Sequence, residues 1–255
     1  MSAEQYLPRD ALGYRAKIGV VVPGTNTIVQ PEYEALKPPG VTNHVMRMLL
    51  PARPYDDMKN YQQALETEHG NLEEALDTLL LCEPQVVAHG HSIHSFRGDV
   101  ERALAEKEYL ENYCKLPFMT PSLSLLAGLE AIGRPRNLGI LTPYWPPADE
   151  MIANWFRSAG YKPVHSSGLK TVGPISVAMV RPEVIMAAFD AINTPDVEAL
   201  IHVGTNLPVS GLTEAIEKRC GKPLIGVNVA TYWAALRRLG IKDRIEGFGV
   251  LVREH

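Results

Sequence analysis

Cysteine is scarce: Cys82, Cys114 and Cys220 are the only three in 255 residues. Three scattered thiols build no disulfide framework, and none has the close spacing of a metal-binding pair. Each precedes a predicted strand, at the amino end of a parallel sheet, opposite to where ligands bind in such folds. Long apolar runs are absent too; no stretch approaches the roughly 20 residues that cross a bilayer. The first ten residues hold neither the basic nor the apolar region of a secretory signal, so a cytoplasmic protein is expected. Positive charge is not in excess either. Lys and Arg number 25 against 29 Asp and Glu, a net charge of −4, which gives no general attraction to nucleic acid or to an anionic membrane. A small molecule is the expected partner, and a symmetric homo-oligomer is the expected assembly for an α/β enzyme of this size.

What the chain does contain is alternation. With 45% hydrophobic and 21% charged residues it has the composition of a globular domain, and its length suits one large or two small α/β domains. Pro84-Gln85-Val86-Val87-Ala88, β-branched and too short for a helix, reads as a strand buried on both faces of a parallel sheet. It runs into His89-Gly90-His91-Ser92-Ile93-His94-Ser95-Phe96-Arg97-Gly98, three histidines within six residues at the end of a strand where chemistry is expected. Upstream, 17–23 is a first strand, 24–27 its loop, and a helix is expected from Pro31. Such an entry aims free backbone amides at an anion, and a carboxylate is the natural occupant. A second strand is expected over 43–50. From Tyr55 to Leu81 apolar residues recur at helical spacing, with Leu72, Ala75, Leu76, Leu79 and Leu80 on one stripe. Helices over 99–113 and 121–132 flank a strand at 116–120, and Gly133 stops the second helix.

The pattern then restarts. Residues 137–144 echo 18–25, 199–206 echo 86–92, and 222–228 with the helix 230–239 echo 115–133. A duplicated βα unit is the reading these echoes favour, with chance likeness of generic βα segments as the alternative. The expected fold is α/β, two similar Rossmann-like parallel-sheet domains related by pseudo-two-fold symmetry with a cleft between them. Residues 1–122 plus 228–255 would form the first domain and 123–227 the second.

Four motifs resemble the aspartate/glutamate racemase superfamily, in its branch of maleate cis-trans isomerases and arylmalonate decarboxylases. Val20-Val21-Val22-Pro23-Gly24-Thr25-Asn26-Thr27 resembles the isomerase carboxylate-binding loop. Gly90-His91-Ser92 with Phe96-Arg97-Gly98 is similar to a decarboxylase segment that runs Gly-Thr-Ser, then Tyr-Arg-Gly. Leu141-Thr142-Pro143-Tyr144 resembles the segment carrying the substrate tyrosine, and Gly204-Thr205-Asn206-Leu207 the isomerase Cys-Thr-Asn-Leu. The resemblance implies the fold and a carboxylate substrate without cofactor or metal. It also implies two facing cysteines, or one in the decarboxylase, and here this chain departs. The first position is Gly90 or His91, the second Gly204, and no thiol stands at either. An asparagine expected near Gly168 is missing as well; Gly168-Leu169-Lys170 offers a lysine.

Among the site candidates, His91 suits proton transfer near neutral pH, its alternative being a loop residue that fixes backbone geometry. Ser92 and Tyr144 join it as catalytic candidates, with hydroxyls able to hold a carboxylate or a developing enediolate. Thr25, Asn26, Thr205 and Asn206 are the substrate-binding candidates, with a helix-capping role open for Thr205. His89 reads as a hydrogen-bonded core residue. A metal bound by His89, His91, His94 or His202 is the weaker reading of the cluster. Arg97 pairs with an anion or with Asp99, and Trp145-Pro146-Pro147 reads as a stiff apolar wall. Three functions remain in play. The first is an enzyme using carbanion or enediolate chemistry on a small carboxylate, of decarboxylase, lyase or isomerase type, with a histidine and no cysteine. The second is a hydrolase that activates water on a cyclic amide or lactone, with or without a metal. The third is a carboxylate-binding protein without catalysis.

Overall fold

The structure is a computed structural model and describes residues 10–50 and 68–255. Two four-stranded parallel sheets carry the fold. The first consists of β1 (Ala16–Pro23), β2 (Val41–Met48), β3 (Val86–His89) and β4 (Phe118–Met119), in the order β2-β1-β3-β4. The second consists of β5 (Asn137–Thr142), β6 (Lys162–Gly168), β7 (Ala199–His202) and β8 (Leu224–Gly226), in the order β6-β5-β7-β8. The same strand order in both halves is what a duplicated unit produces. The central strands β1, β3, β5 and β7 are almost wholly buried, which is why they read as continuous apolar runs rather than alternating ones.

Register makes the internal equivalence exact to the residue. Val21 lies opposite His89 in the first sheet, and Leu141 opposite His202 in the second. One residue further, Gly90 N donates to Val21 O at 2.7 Å and Val203 N to Leu141 O at 3.0 Å. His89 thus matches His202, His91 matches Gly204, and Ser92 matches Thr205. By the pairing of the outer strands, Val87 with Phe118 and Leu200 with Leu224, Ser122 matches Asn228.

Among the described residues the helices are α1 (Val29–Leu36), α2 (Glu68–Leu80), α3 (Val100–Cys114), α4 (Pro121–Ala131), α5 (Pro146–Ser158), the short α6 (Pro174–Val177), α7 (Pro182–Ile192), α8 (Thr213–Cys220), α9 (Val227–Arg238) and α10 (Val250–Glu254). Several expectations shift. The first helix starts at Val29, ahead of Pro31, and the second strand is 41–48, because β2 pairs in register along the whole of β1. Of the helical stretch expected from Tyr55, 55–67 lie outside the described residues, and α2 buries Leu72, Ala75, Leu76 and Leu79 with Leu80 packed at the margin. Trp145-Pro146-Pro147 leads into a helix. The two prolines begin α5, where a missing amide hydrogen costs nothing, and the Trp145 indole donates to Thr171 O at 2.9 Å. The last long helix begins at Val227, three residues before the expected start.

One apolar core runs through both halves. Phe96, just after the histidine-rich turn, stands edge-on to Trp155 of α5 at 5.0 Å and tilts on Phe156 at 5.7 Å. Tyr33 of α1 meets Tyr232 of α9 at 4.7 Å. The helices that follow the last strand of each sheet, α4 and α9, pack on one another; α4 also touches β8, and α9 touches β3, β4 and α1. Gly128 allows the close approach of α4 to β8, since a Cβ there would lie 3.1 Å from Ile225 Cγ2.

Candidate active site

Two polar turns leave the carboxyl ends of β3 and β7 and meet. Ser92 Oγ lies 3.2 Å from the Tyr144 hydroxyl, which follows β5. The same Ser92 Oγ accepts from Thr205 N at 3.3 Å. Asn26, in the loop after β1, donates from Nδ2 to Thr205 Oγ1 at 3.3 Å, while its Oδ1 accepts from Ile28 N at 3.0 Å and from Val29 N, the first amide of α1, at 2.9 Å. Ser92, Tyr144, Thr205 and Asn26 are all buried. Four side chains from four loops, two in each half, therefore form one hydroxyl-and-amide cluster, and Thr205 uses its hydroxyl there instead of capping a helix.

The other binding candidates act on the loops. Asn206 Oδ1 accepts from Thr27 N at 2.9 Å, and its Nδ2 donates to Pro174 O at 2.8 Å and to Thr25 O at 3.5 Å. Thr25 enters this network through its carbonyl. Arg47 Nη1 donates to Asn26 O at 2.5 Å, which pins the same loop from β2.

The histidines separate. His91, half-buried beside Ser92, presents its ring edge-on to that of His89 at 6.1 Å, and His89 in turn packs on Phe118 at 5.9 Å. His94 turns to α3, where its Nε2 is 2.6 Å from Glu106 Oε1. His202 is buried in the second sheet, and burial lowers its pKa to about 3, so it is a neutral imidazole. Among the described residues no group of three or more His, Cys, Asp or Glu side chains is arranged to hold a metal ion. Asp99 Oδ1 accepts from Arg102 N at 2.9 Å and caps α3.

Three residues that sequence reasoning passed over support the cluster. Glu32 of α1 accepts from Ser210 N at 3.0 Å, Ser210 Oγ at 2.5 Å and Asn228 Nδ2 at 2.7 Å. Burial pushes its carboxyl above the usual range against these hydrogen bonds. Asn228 also donates to Thr205 O at 2.9 Å. Asp149 of α5 accepts from Thr142 Oγ1 at 2.5 Å, Thr142 Oγ1 accepts from Tyr144 N at 2.9 Å, and burial raises the Asp149 carboxyl too. Glu32 and Asp149 each lie in the first turn of a helix, where an acid reads as an ordinary partner of the helix dipole. Only the tertiary contacts reveal more.

Two glycines shape the turns. At Gly204, φ is +146°, and a Cβ would lie 2.4 Å from Pro143 Cδ. At Gly168 a Cβ would lie 2.3 Å from Asp149 Oδ2 and 2.4 Å from Tyr144 O, so no side chain fits in this backbone arrangement. Cys114 and Cys220 are the last residues of α3 and α8, and Cys82 follows α2, each ahead of a strand's amino end. Burial raises all three, Cys114 to about 11.

Comparison with known proteins agrees with this frame. The chain is 22% identical over 244 residues to the maleate isomerase of Alcaligenes faecalis, covering 91% of this chain and 94% of that one. It is 28% identical over 156 residues to the arylmalonate decarboxylase of Bordetella bronchiseptica, 59% of this chain and 63% of the relative. A cysteine-to-serine mutant of the Nocardia farcinica maleate cis-trans isomerase, with a covalently bound succinylcysteine intermediate, superposes with a TM-score of 0.85 at 21% identity, covering 94% of this chain and 99% of that one. The family model described as arylmalonate decarboxylase matches residues 18–252. The chain belongs to the arylmalonate decarboxylase family.

Proposed function

We propose that this protein is an enzyme that binds a small carboxylate between its two sheets and stabilises an enediolate formed from it, in a decarboxylation, lyase or isomerase reaction. The observation that carries this reading is the buried contact of Ser92 with Tyr144 and with Thr205 N across the two halves. Hydroxyl and amide donors fixed in a buried site favour charge that develops on carboxylate oxygens, and they need no reorganisation as it forms. Asn26, Thr205 and the loop amides near Thr25 and Asn206 bind the anion in this reading, and Ser92 and Tyr144 face the developing charge.

His91 supplies the proton. In a decarboxylation the bond between the α-carbon and the departing carboxyl group breaks, its electron pair enters the enediolate as carbon dioxide leaves, and protonated His91 returns a proton to the α-carbon. The family includes a relative in which a cysteine carries the intermediate. We assign His91 and Gly204 to the positions of the two thiols. The internal register that makes them equivalent supports this, as does the location of Cys82, Cys114 and Cys220 at the opposite strand ends. We also read 1–122 with 228–255 as one domain and 123–227 as the other, a division supported by the packing of α9 on β3, β4 and α1.

The test is to incubate the purified protein in D2O with a panel of aryl- and alkylmalonates, maleate and related acids. NMR would follow carbon dioxide loss, cis-trans conversion and deuterium entry at the α-carbon. Turnover with deuterium at that carbon is the expected result. Tight binding without any of the three would overturn the catalytic reading in favour of a binding protein, and hydrolysis of a lactone or cyclic amide would replace it with a hydrolase.

A further inference from the structure

We propose that Glu32 and Asn228 form a positioning device for the Thr205 turn, and, resting on the reading above, that they set the geometry in which the carboxylate is held. Asn228 Nδ2 carries two hydrogens and uses both, one toward Glu32 Oε2 at 2.7 Å and one toward Thr205 O at 2.9 Å. With acceptors on both sides, the orientation of this amide is fixed. Glu32 takes Ser210 N, Ser210 Oγ and Asn228 Nδ2 on its two oxygens, a set of three donors that suits an acceptor-only carboxylate. Mere adhesion between the halves would need only the Glu32–Ser210 contacts. The Asn228 hydrogen bond is aimed at the turn itself, on the residue whose N–H meets Ser92 and whose hydroxyl meets Asn26.

The first half performs the same task with different atoms. Ser92, the equivalent of Thr205, has its carbonyl held by Ser95 Oγ at 2.8 Å, and Ser95 Oγ accepts from Ser122 N at 3.1 Å. Ser122 is the register equivalent of Asn228. In both halves, then, the carbonyl of the hydroxyl-bearing residue is tied to the start of the helix that follows the last strand. Two different chemical solutions at equivalent places point to a requirement of the turn.

The experiment compares Asn228→Ala, Glu32→Gln and the double variant Glu32→Gln/Asn228→Asp with the wild type. In the double variant the new amide donates to the new carboxylate and Ser210 stays paired, so the bond between α1 and α9 returns. The oxygen that replaces Nδ2 now opposes Thr205 O, and the turn is not held. Thermal stability and hydrogen exchange over 204–210 are read in all four proteins, together with the dissociation constant for phenylmalonate in those that bind it. The expected result is a double variant with stability restored, but with faster exchange at 204–207 and binding weakened about tenfold or more. Recovery of exchange protection and binding along with stability would overturn the proposal, leaving Glu32 and Asn228 as ordinary glue. If the double variant does not fold, Asn228→Ala decides: unchanged exchange at 204–207 overturns the positioning role, and faster exchange with the Glu32–Ser210 contact intact upholds it. If the wild type binds no dicarboxylate, the functional reading fails by itself, while the exchange data still judge the device.

Discussion

The hydroxyls of Ser92 and Tyr144 stand 3.2 Å apart, one from the turn after β3 and the other from the loop after β5. Neither half of the molecule contains the pair alone. Removing either oxygen should therefore strike the site without striking the core. Ser92→Ala and Tyr144→Phe are each expected to lower kcat/KM for the proposed carboxylate substrate by about 10²- to 10³-fold, with a stability loss of about 1 kcal/mol from the lost hydrogen bond. Steady-state kinetics beside urea unfolding check both; wild-type kinetics in both variants would remove the pair from catalysis.

His91→Ala is expected to lower turnover by about 10²- to 10⁴-fold, the usual contribution of a positioned acid or base, and to leave the fold intact. An unchanged rate would remove His91 from the mechanism and restore it to a loop-shaping role.

Gly204 holds a backbone conformation that an L-residue resists, and Pro143 occupies the space a Cβ would need. Gly204→Ala and Gly204→Cys are expected to destabilise the protein by about 1 to 3 kcal/mol. A thiol inserted there should consequently fail to give a well-formed site unless Pro143 is also relieved, for example by Pro143→Ala. Denaturant midpoints across the single and double variants test this, and a fully stable Gly204→Cys protein would show that the turn relaxes freely.

His202 titrates at about 3 in the folded state, because burial penalises its charged form, whereas an unfolded histidine titrates near 6.5. Between these values the unfolded chain binds the extra proton, so stability rises with pH across the window and is lost as pH falls through it. The loss at the acid end is on the order of a few kcal/mol, about 1.4 for each pH unit. His202→Gln should flatten the stability profile between pH 4 and pH 6.5 relative to the wild type. Parallel profiles would mean that the imidazole is not the group responsible.

Iodoacetamide provides a chemical test of thiol independence. Burial raises all three cysteines, and the thiolate is the reactive form. Native protein treated near neutral pH should keep its turnover, and the Cys82→Ala, Cys114→Ala and Cys220→Ala variants should each retain it. Loss of activity that tracks modification of one thiol would return cysteine to the mechanism.

Much of the fold was legible because buried parallel strands write themselves as β-branched runs. Val20-Val21-Val22, Val86-Val87-Ala88 and Leu200-Ile201 all fell where a 2-1-3-4 sheet needs them. β6 and α7 were not foreseen: β6 is only partly buried and mixes His165, Ser166 and Ser167 with apolar neighbours, so it lacks that signature. The polar turns were legible too, since Ser92, Thr205 and Asn26 stand immediately beyond strands. Their mutual contacts were not, because Thr205 and Ser92 are 113 residues apart. Glu32, Asn228 and Asp149 stayed hidden for a related reason: an acid or an amide in a first helical turn has a local explanation at hand, and only packing discloses the second one.

The crossing of α4 and α9 carries a consequence for biosynthesis. As the polypeptide leaves the ribosome, the strands of the first sheet are complete once Met119 has emerged, yet the cover that α9 lays over β3 and β4 arrives more than a hundred residues later. The nascent first lobe must wait with an apolar flank bare, and its burial and the closing of the polar turns become the same late event.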